Sequence, residues 1–489
     1  MSESKRALTP WAWVPTSYLA EGIPFAMVIW VAGTMFKDLG HSDGEITLAT
    51  ASIGLAWSLK PLWAAFLDMY RTKKFFVLAM ELFMAILLGI AALTLGLPNY
   101  FSVVIAILWV IAFSSATQDI CVDGVYITAL DKKGQAAFIG IQGVFWNVGR
   151  IFATAAVVWF AGTLKESGAA PKTAWTSGLL LAAAVMAALF AYHYFMLPTG
   201  SVTRSASQTS PEVPTSPALR GGVSVGVGAV VGAMVWIAAG PVMAAIIGIA
   251  TAALITVGWR DHVPPFLAFI KKKHILGMLV FVFLYRAGEG FLLIEAPLFM
   301  QSPVAQGGLG LTLSQKALID GTISTGVSLV AGILGGAFAS KYGLKRTLLV
   351  LAICMNVPHL CYIYLSHAGS VAHPVSMTTI QLLVTIEKFG YSFGFVGNML
   401  YMMQQIAPGK FKMTHYAYAT SFMNLVLVPT QAASGPLADW LGYKNFFIFV
   451  MIASIPSIIA AWKAPFPNTP ESGGTDGTED AEAPAAAAA

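Results

Sequence analysis

The chain has 489 residues, of which 57% are hydrophobic and only 10% charged, with a mean hydropathy of +0.72. That much apolar surface cannot be hidden in a water-soluble core, so the chain belongs in a bilayer. The formal net charge of +5 lies on short loops between apolar stretches, which makes it a topology signal and not a nucleic-acid footprint.

A helix that crosses about 30 Å of hydrocarbon needs about 20 residues. In chain order the predicted spans are 11–36, 46–67, 75–97, 101–129, 136–162 and 174–197, a pair at 222–239 and 242–258, then 274–300, 314–339, 346–366, 377–405, 413–434 and 444–464. The first, Trp11–Phe36, is too long for a signal-peptide core and has no small-residue cleavage site after it, so it is expected to be retained. The 222–258 pair rests on one turn signal, Gly240–Pro241. Pro198–Arg220 is rich in Ser, Thr and Pro without apolar period and reads as a flexible linker, and the acidic, Ala-rich end reads as a solvated tail. The expected organisation is therefore a first six-helix half (1–197), a cytoplasmic linker (198–221), an extra helix pair (222–258), a second six-helix half (259–465) and a disordered tail (466–489).

Placing the amino terminus in the cytoplasm leaves only Lys37, Lys165, Lys172, Lys316 and Lys444 of the 28 Lys and Arg on external loops, with Lys60, Arg150, Arg286 and Lys388 inside spans. The positive-inside bias sets both termini in the cytoplasm. Cys121, Cys354 and Cys361 fall in apolar stretches without pairing or metal-ligand spacing and read as core filler.

An ionisable side chain at mid-membrane costs about 2.5–3.5 kcal/mol on insertion scales, so each one needs a partner or a task. Glu21, Arg150, Arg286, Glu289, Glu387 and Lys388 lie near the middle of their spans, and Asp119 and Asp123 lie deeper toward the cytoplasm. Asp119 and Asp123 are four apart, Arg286 and Glu289 three apart, so each pair shares a helix face. Asp119, Asp123, Glu21, Glu289 and Glu387 are the proton-coupling candidates. Arg286, Arg150 and Lys388 are candidates for holding an anionic substrate group, with Arg286 the first choice. Adjacent Glu387 and Lys388 diverge by about 100° and cannot both point straight into one cavity. Glu81 is expected to snorkel to the cytoplasmic interface, and Lys60 either to do the same or to pair with Asp119. The eight histidines are dispersed, and no HExxH or GxSxG pattern marks an enzyme.

The halves read as repeats: YLAEG (18–22) answers YRAGEG (285–290), setting Glu21 against Glu289, and LKPLWAAFLDMYRTKK (59–74) answers LGGAFASKYGLKRT (334–347). The second loop, with Gly335, Gly336, Gly343, Lys345 and Arg346, resembles the signature loop of the major facilitator superfamily, in which small residues would pack helices closely and basic ones would meet helix ends. Ser114–Leu130 (SSATQDICVDGVYITAL) resembles the Gln-Asp-Ile segment of AmpG-type muropeptide permeases and of acetyl-CoA transporters. SLKPLWAAFLD (58–68) and LYRAGEGFLLIEAPLF (284–299) are similar to the same family. The resemblance implies an all-α membrane protein of the major facilitator fold, with about 14 transmembrane helices. It places Gln118 and Asp119 at the family's Gln-Asp positions and Lys60 and Asp68 at its second-helix positions; Gln118 and Tyr18 are further candidates for substrate contact. Arg71-Thr72-Lys73-Lys74 departs from the family's Arg-rich loop, and Ala65 from its proline. The implied function is a monomeric proton-coupled permease of a bacterial inner membrane, not an enzyme. It would import an amphipathic anionic small molecule, muropeptides first and acetyl-CoA, peptides or siderophores as alternatives. It would need no cofactor or metal beyond the proton gradient, and no nucleic acid.

Overall fold

The computed structural model describes residues 9–60, 63, 67, 72–130, 132–199, 217–257, 259–409 and 411–468, and those residues form helices joined by short turns. The first half contains α1 (Pro10–Asp38), α2 (Asp43–Thr50, continued by a turn at Leu55–Ser58), α3 (Lys73–Thr94), α4 (Tyr100–Ala129), α5 (132–166) and α6 (Pro171–Met196). Next come α7 (Pro217–Val257) and α8 (Trp259–Ile270). The second half contains α9 (Ile275–Gln301), α10 (Leu313–Tyr342), α11 (Leu344–Ala368), α12 (377–406), α13 (412–441) and α14 (443–462). Among the described residues, nine helical runs are long and apolar enough to cross a bilayer.

Local chemistry sets the boundaries. α2 opens on a capping box, in which Ser42 Oγ accepts from the Glu45 amide and the Glu45 carboxylate accepts from the Ser42 amide, and Thr312 with Gln315 does the same for α10. Gly442 sits at φ 69°, which breaks α13 from α14. The sequence reading ended that span at 434; without a Gly or Pro break in Leu437–Leu441, the helix runs on to this glycine. α8 is absent from the predicted spans because Arg260, Asp261 and His262 and two prolines lower its hydropathy. It lies along the start of α13, where His415 Nε2 is 3.1 Å from the Pro265 carbonyl.

α7 is a helical run of 41 residues, yet it is not straight. A Cβ on Gly228 would stand 2.4 Å from the Gly248 carbonyl oxygen, and one on Gly232 would stand 2.9 Å from that of Ala244. Twenty residues along a continuous helix are about 30 Å apart. The chain therefore reverses between Gly232 and Ala244, with glycines letting the two arms touch.

Within each half, backbones also meet at glycines. Gly22 of α1 faces the Trp146 carbonyl and Gly149 of α5 faces that of Leu19, both closer than 2.5 Å to an added Cβ. Gly335 of α10 packs on the Phe393 carbonyl of α12 in the same way, while Gly336 has open space beside it and plays no part in close packing. Gly343 turns the chain at φ 81°, and Lys345 and Arg346 after it are exposed. Apolar cores fill each half, one around Trp109, Trp175 and Phe36, another around Phe299, Tyr362 and Phe447.

Candidate functional site

α1 begins and α14 finishes at one end of the bundle, here the terminal end; the opposite one is the far end. At the far end the halves are sealed together. Gly44 N donates to Asp439 Oδ2 (3.0 Å), Gly435 N to Thr47 Oγ1 (3.2 Å), Gln301 Nε2 to the Thr34 carbonyl (3.1 Å) and Lys316 Nζ to Thr34 Oγ1 (2.6 Å). A Cβ on Gly435 would lie 2.2 Å from the Asp43 carbonyl oxygen, so α13 and α2 are in backbone contact there.

On the terminal side of this seal, a cavity of about 270 Å³ lies between the halves, lined by Phe25, Trp57, Lys60, Asp119, Trp146 and, from α13, Ala417, Thr420, Ser421 and Asn424. A larger groove between α9 and α14 is mostly apolar and belongs to the second half alone. The interhalf cavity has both charge and aromatic surface. Lys60 Nζ donates to Asp119 Oδ2, and both side chains keep about a quarter of their surface exposed (24% and 26%). Phe25 contacts three tryptophans edge-on or tilted, with ring centroids 4.7 Å from Trp57 and 5.4 Å from both Trp30 and Trp146. Ser421 Oγ donates to the Ser58 carbonyl (2.7 Å) across the halves.

The other charges lie deeper. Arg286 closes both prongs on Glu289, Nε to Oε2 at 2.5 Å and Nη2 to Oε1 at 2.6 Å, and only Nη1 turns to Asn424, at 3.3 Å. Its guanidinium also stacks over Phe395, and the side chains of the ion pair are 6% and 3% exposed. Lys388 meets Glu387 at 3.2 Å, so the two neighbours pair with each other, and Tyr362 OH donates to Glu387 (3.4 Å). Arg150 crosses to the second half, donating to Thr325 Oγ1 (2.8 Å) with its guanidinium over Trp30. Among the described residues it has no carboxylate at ion-pair distance.

Asp119 and Asp123 have separate partners: Asp123 accepts from Tyr18 OH (2.8 Å), which in turn accepts from Gln142 (2.7 Å). Tyr18 is buried and so is Glu21, whose Oε1 finds no donor among the described residues. Gln118 is not at the cavity. It is fully buried and donates to Glu81 (3.0 Å), because one residue's turn from Asp119 carries it to the α3 side of α4. Glu81 does not snorkel. It is fully buried and meets His193 Nδ1 at 2.8 Å, with His193 Nε2 3.0 Å from Thr16 Oγ1. Asp68 lies outside the described residues. Sequence reasoning missed the aromatic group around Phe25, whose tryptophans lie on three different helices. It also missed Glu81 with His193, and Glu295 with Asp43 at the seal.

With this geometry in view, comparisons with known proteins place the fold. The family model described as Major Facilitator Superfamily matches residues 16–426. The chain is 21% identical over 452 residues to a Rickettsia felis protein named "Putative transporter AmpG 4", covering 90% of this chain and 92% of that one. Among solved structures it resembles the nucleoside transporter NupG (TM-score 0.61, 14% identity, 92% of this chain and 98% of that one). It also resembles a structure of proton dependent oligopeptide transporters (TM-score 0.60, 14% identity, 92% and 96%).

Proposed function

This chain belongs to the Major Facilitator Superfamily, and on that premise we propose that it is a proton-coupled importer of peptidoglycan-derived muropeptides in a bacterial inner membrane. The observation that carries the reading is the cavity pair Lys60–Asp119 beside the Phe25, Trp57 and Trp146 rings. Sugar rings present apolar C–H faces that lie against aromatic rings, and the lactyl and peptide carboxylates of a muropeptide need a cation. Lys60 is that cation. At rest it is occupied by Asp119; a proton on Asp119 releases it to the substrate, which ties anion binding to proton binding. Arg150, which crosses between the halves and has no carboxylate partner among the described residues, offers a second anchor. Similarity over most of both chains to a protein named as a putative AmpG transporter supports the same reading.

The Gln118–Asp119 segment also resembles that of acetyl-CoA transporters, so acetyl-CoA is the second reading; its adenine would use the same rings. Purified protein in proteoliposomes, offered anhydro-muropeptides, acetyl-CoA and short peptides under an imposed pH gradient, decides between them. Muropeptide accumulation that collapses with the gradient is expected, and Asp119→Asn should abolish accumulation while leaving the protein inserted. Normal proton-driven accumulation by Asp119→Asn would remove Asp119 from coupling.

A further inference from the structure

The far-end seal contains a group that the cavity chemistry does not use. Glu295 of α9 is fully buried, and among the described residues neither of its carboxylate oxygens has a hydrogen-bond donor. What faces it is a second carboxylate, that of Asp43, close enough to share a proton. An ionised carboxylate without a donor in a dry interface costs several kcal/mol, and two together cost more.

The surroundings do not neutralise it. Lys37 of α1 is the nearby cation, but it is already paired with Asp43 at 2.5 Å. Asp439 of α13 adds another negative charge, bound to the Gly44 amide. Tyr443 of α14 donates its hydroxyl to Asp43 and meets Ser302 Oγ at 2.5 Å. The remaining charged groups on the packed elements are engaged elsewhere or exposed. Asp38 holds Lys165 and Trp175, His41 meets Tyr100 and Glu45, Glu45 is exposed and caps α2, Lys316 holds Thr34 and Asp320, and Lys444 is exposed. Three carboxylates thus converge on one ammonium, and the most buried of them points at another acid.

We propose that this cluster is a proton-binding site and that the far-end seal is a latch closed by one proton, held between Glu295 and Asp43. Closing takes that proton from the aqueous compartment at the far end. Opening wets the cluster, ionises Glu295 and returns the proton. The sealed state binds one proton more than the open state, so low pH favours sealing, and the sealed-to-open ratio falls by about tenfold for each pH unit above the transition. The proposal rests on the transporter reading above, for which the far-end seal must open and close, but not on its substrate or on Asp119.

The test is a distance measurement without substrate. Spin labels go on Ala170→Cys and Val371→Cys, exposed far-end loop positions of the two halves, after Cys121, Cys354 and Cys361 are replaced by Ser. Pulsed electron paramagnetic resonance in liposomes, from about pH 5 to about pH 9, should show the short-distance population giving way to a longer one as a one-proton transition. Glu295→Gln, which can donate to Asp43 without a proton, should stay sealed throughout. Should that variant fail to insert, Asp43→Asn serves, because it frees Lys37 to pair with ionised Glu295 and removes the need for the proton. A wild-type distribution that does not change over this range overturns the latch, and so does a wild-type pH response in either variant. Because no substrate or gradient is present, a failed uptake experiment with Asp119→Asn leaves this result standing, and the reverse also holds.

Discussion

Replacing Gly435 by alanine tests whether the far-end seal is one of two working states. The added methyl would lie 2.2 Å from the Asp43 carbonyl oxygen, 2.4 Å from its carbon and 2.4 Å from Thr47 Oγ1. Two of those three atoms are backbone and cannot rotate away, so α13 must retreat from α2 by about 1 Å to reach ordinary contact, and the Gly435 amide then loses Thr47. Overpacking of this kind costs about 1–3 kcal/mol. The cost is confined to the sealed state, so the open-to-sealed ratio should rise roughly 5- to 150-fold. Gly22→Ala is the control, since its methyl would meet the Trp146 carbonyl at the same 2.2 Å but within the first half. That cost is borne in both states and should lower the melting temperature without changing the distribution. The assay is the interhalf distance by spin labels, alongside thermal unfolding in detergent. An unchanged distance distribution in a folded Gly435→Ala protein would refute the assignment of this contact to a separable state.

Two further substitutions probe the buried charges. Arg286→Lys keeps the charge but not the two-pronged contact to Glu289, and it should weaken uptake affinity by about tenfold, about 1.4 kcal/mol. Because Glu289 occupies both prongs, the loss is expected to be equal for anionic and neutral analogues in competition assays; a loss confined to anionic ones would put Arg286 on the substrate. His193→Ala leaves the fully buried Glu81 with Gln118 as its remaining partner and should lower stability by about 3 kcal/mol. Thermal unfolding checks this, with transport per folded molecule unchanged; a normal melting temperature would mean that water fills the site.

The long apolar helices were legible because hydropathy is a property of single segments, although the nine runs that qualify as spans among the described residues do not establish the expected count of 14. Glu289 was legible as the partner of Arg286 because the spacing of three residues puts both on one helix face. Lys60 and Asp119 are 59 positions apart, and only the family resemblance and the cost of an unpaired lysine suggested that they meet. Which face of α4 a residue occupies was not legible: its hydrophobicity is nearly uniform around the helix, so nothing in the sequence distinguished Asp119, at the cavity, from Gln118, in the core. Glu81 looked able to reach the interface because it is near a helix end. Its partner His193 lies 112 positions away on α6, a distance that no local pattern reports. Glu295 escaped notice for the same reason, since its significance depends on Asp43 in the other half.

The contacts that hold each half together and those that join the halves use glycine packing in different proportion, with more exchangeable hydrogen bonds between the halves, and the difference bears on how the protein moves. Inside a half, Gly22 against Trp146, Gly149 against Leu19, Gly335 against Phe393 and Gly394 against Leu351 bring backbones into van der Waals contact along whole helices. Such packing has no substitute in water or lipid and resists sliding. Between the halves, the far-end seal has one such contact, Gly435 against the Asp43 carbonyl, and its other links are single hydrogen bonds from Gly44, Gln301 and Lys316. Water can replace each of these at little cost, since a net hydrogen bond is worth only about 0.5–1.5 kcal/mol. Where α5 meets α10 the seal has a second feature: both helices widen into a π-helical turn, Phe152–Val157 and Ala317–Ile323, and Gly321 rests on the Thr154 carbonyl. A π turn carries an extra residue and a loosened hydrogen-bond ladder, so a change in bend is absorbed there more readily than in a regular helix. Rigid halves, exchangeable polar contacts at one end and two facing π turns near the middle together favour rocking of the halves about the α5–α10 contact over rearrangement within either one.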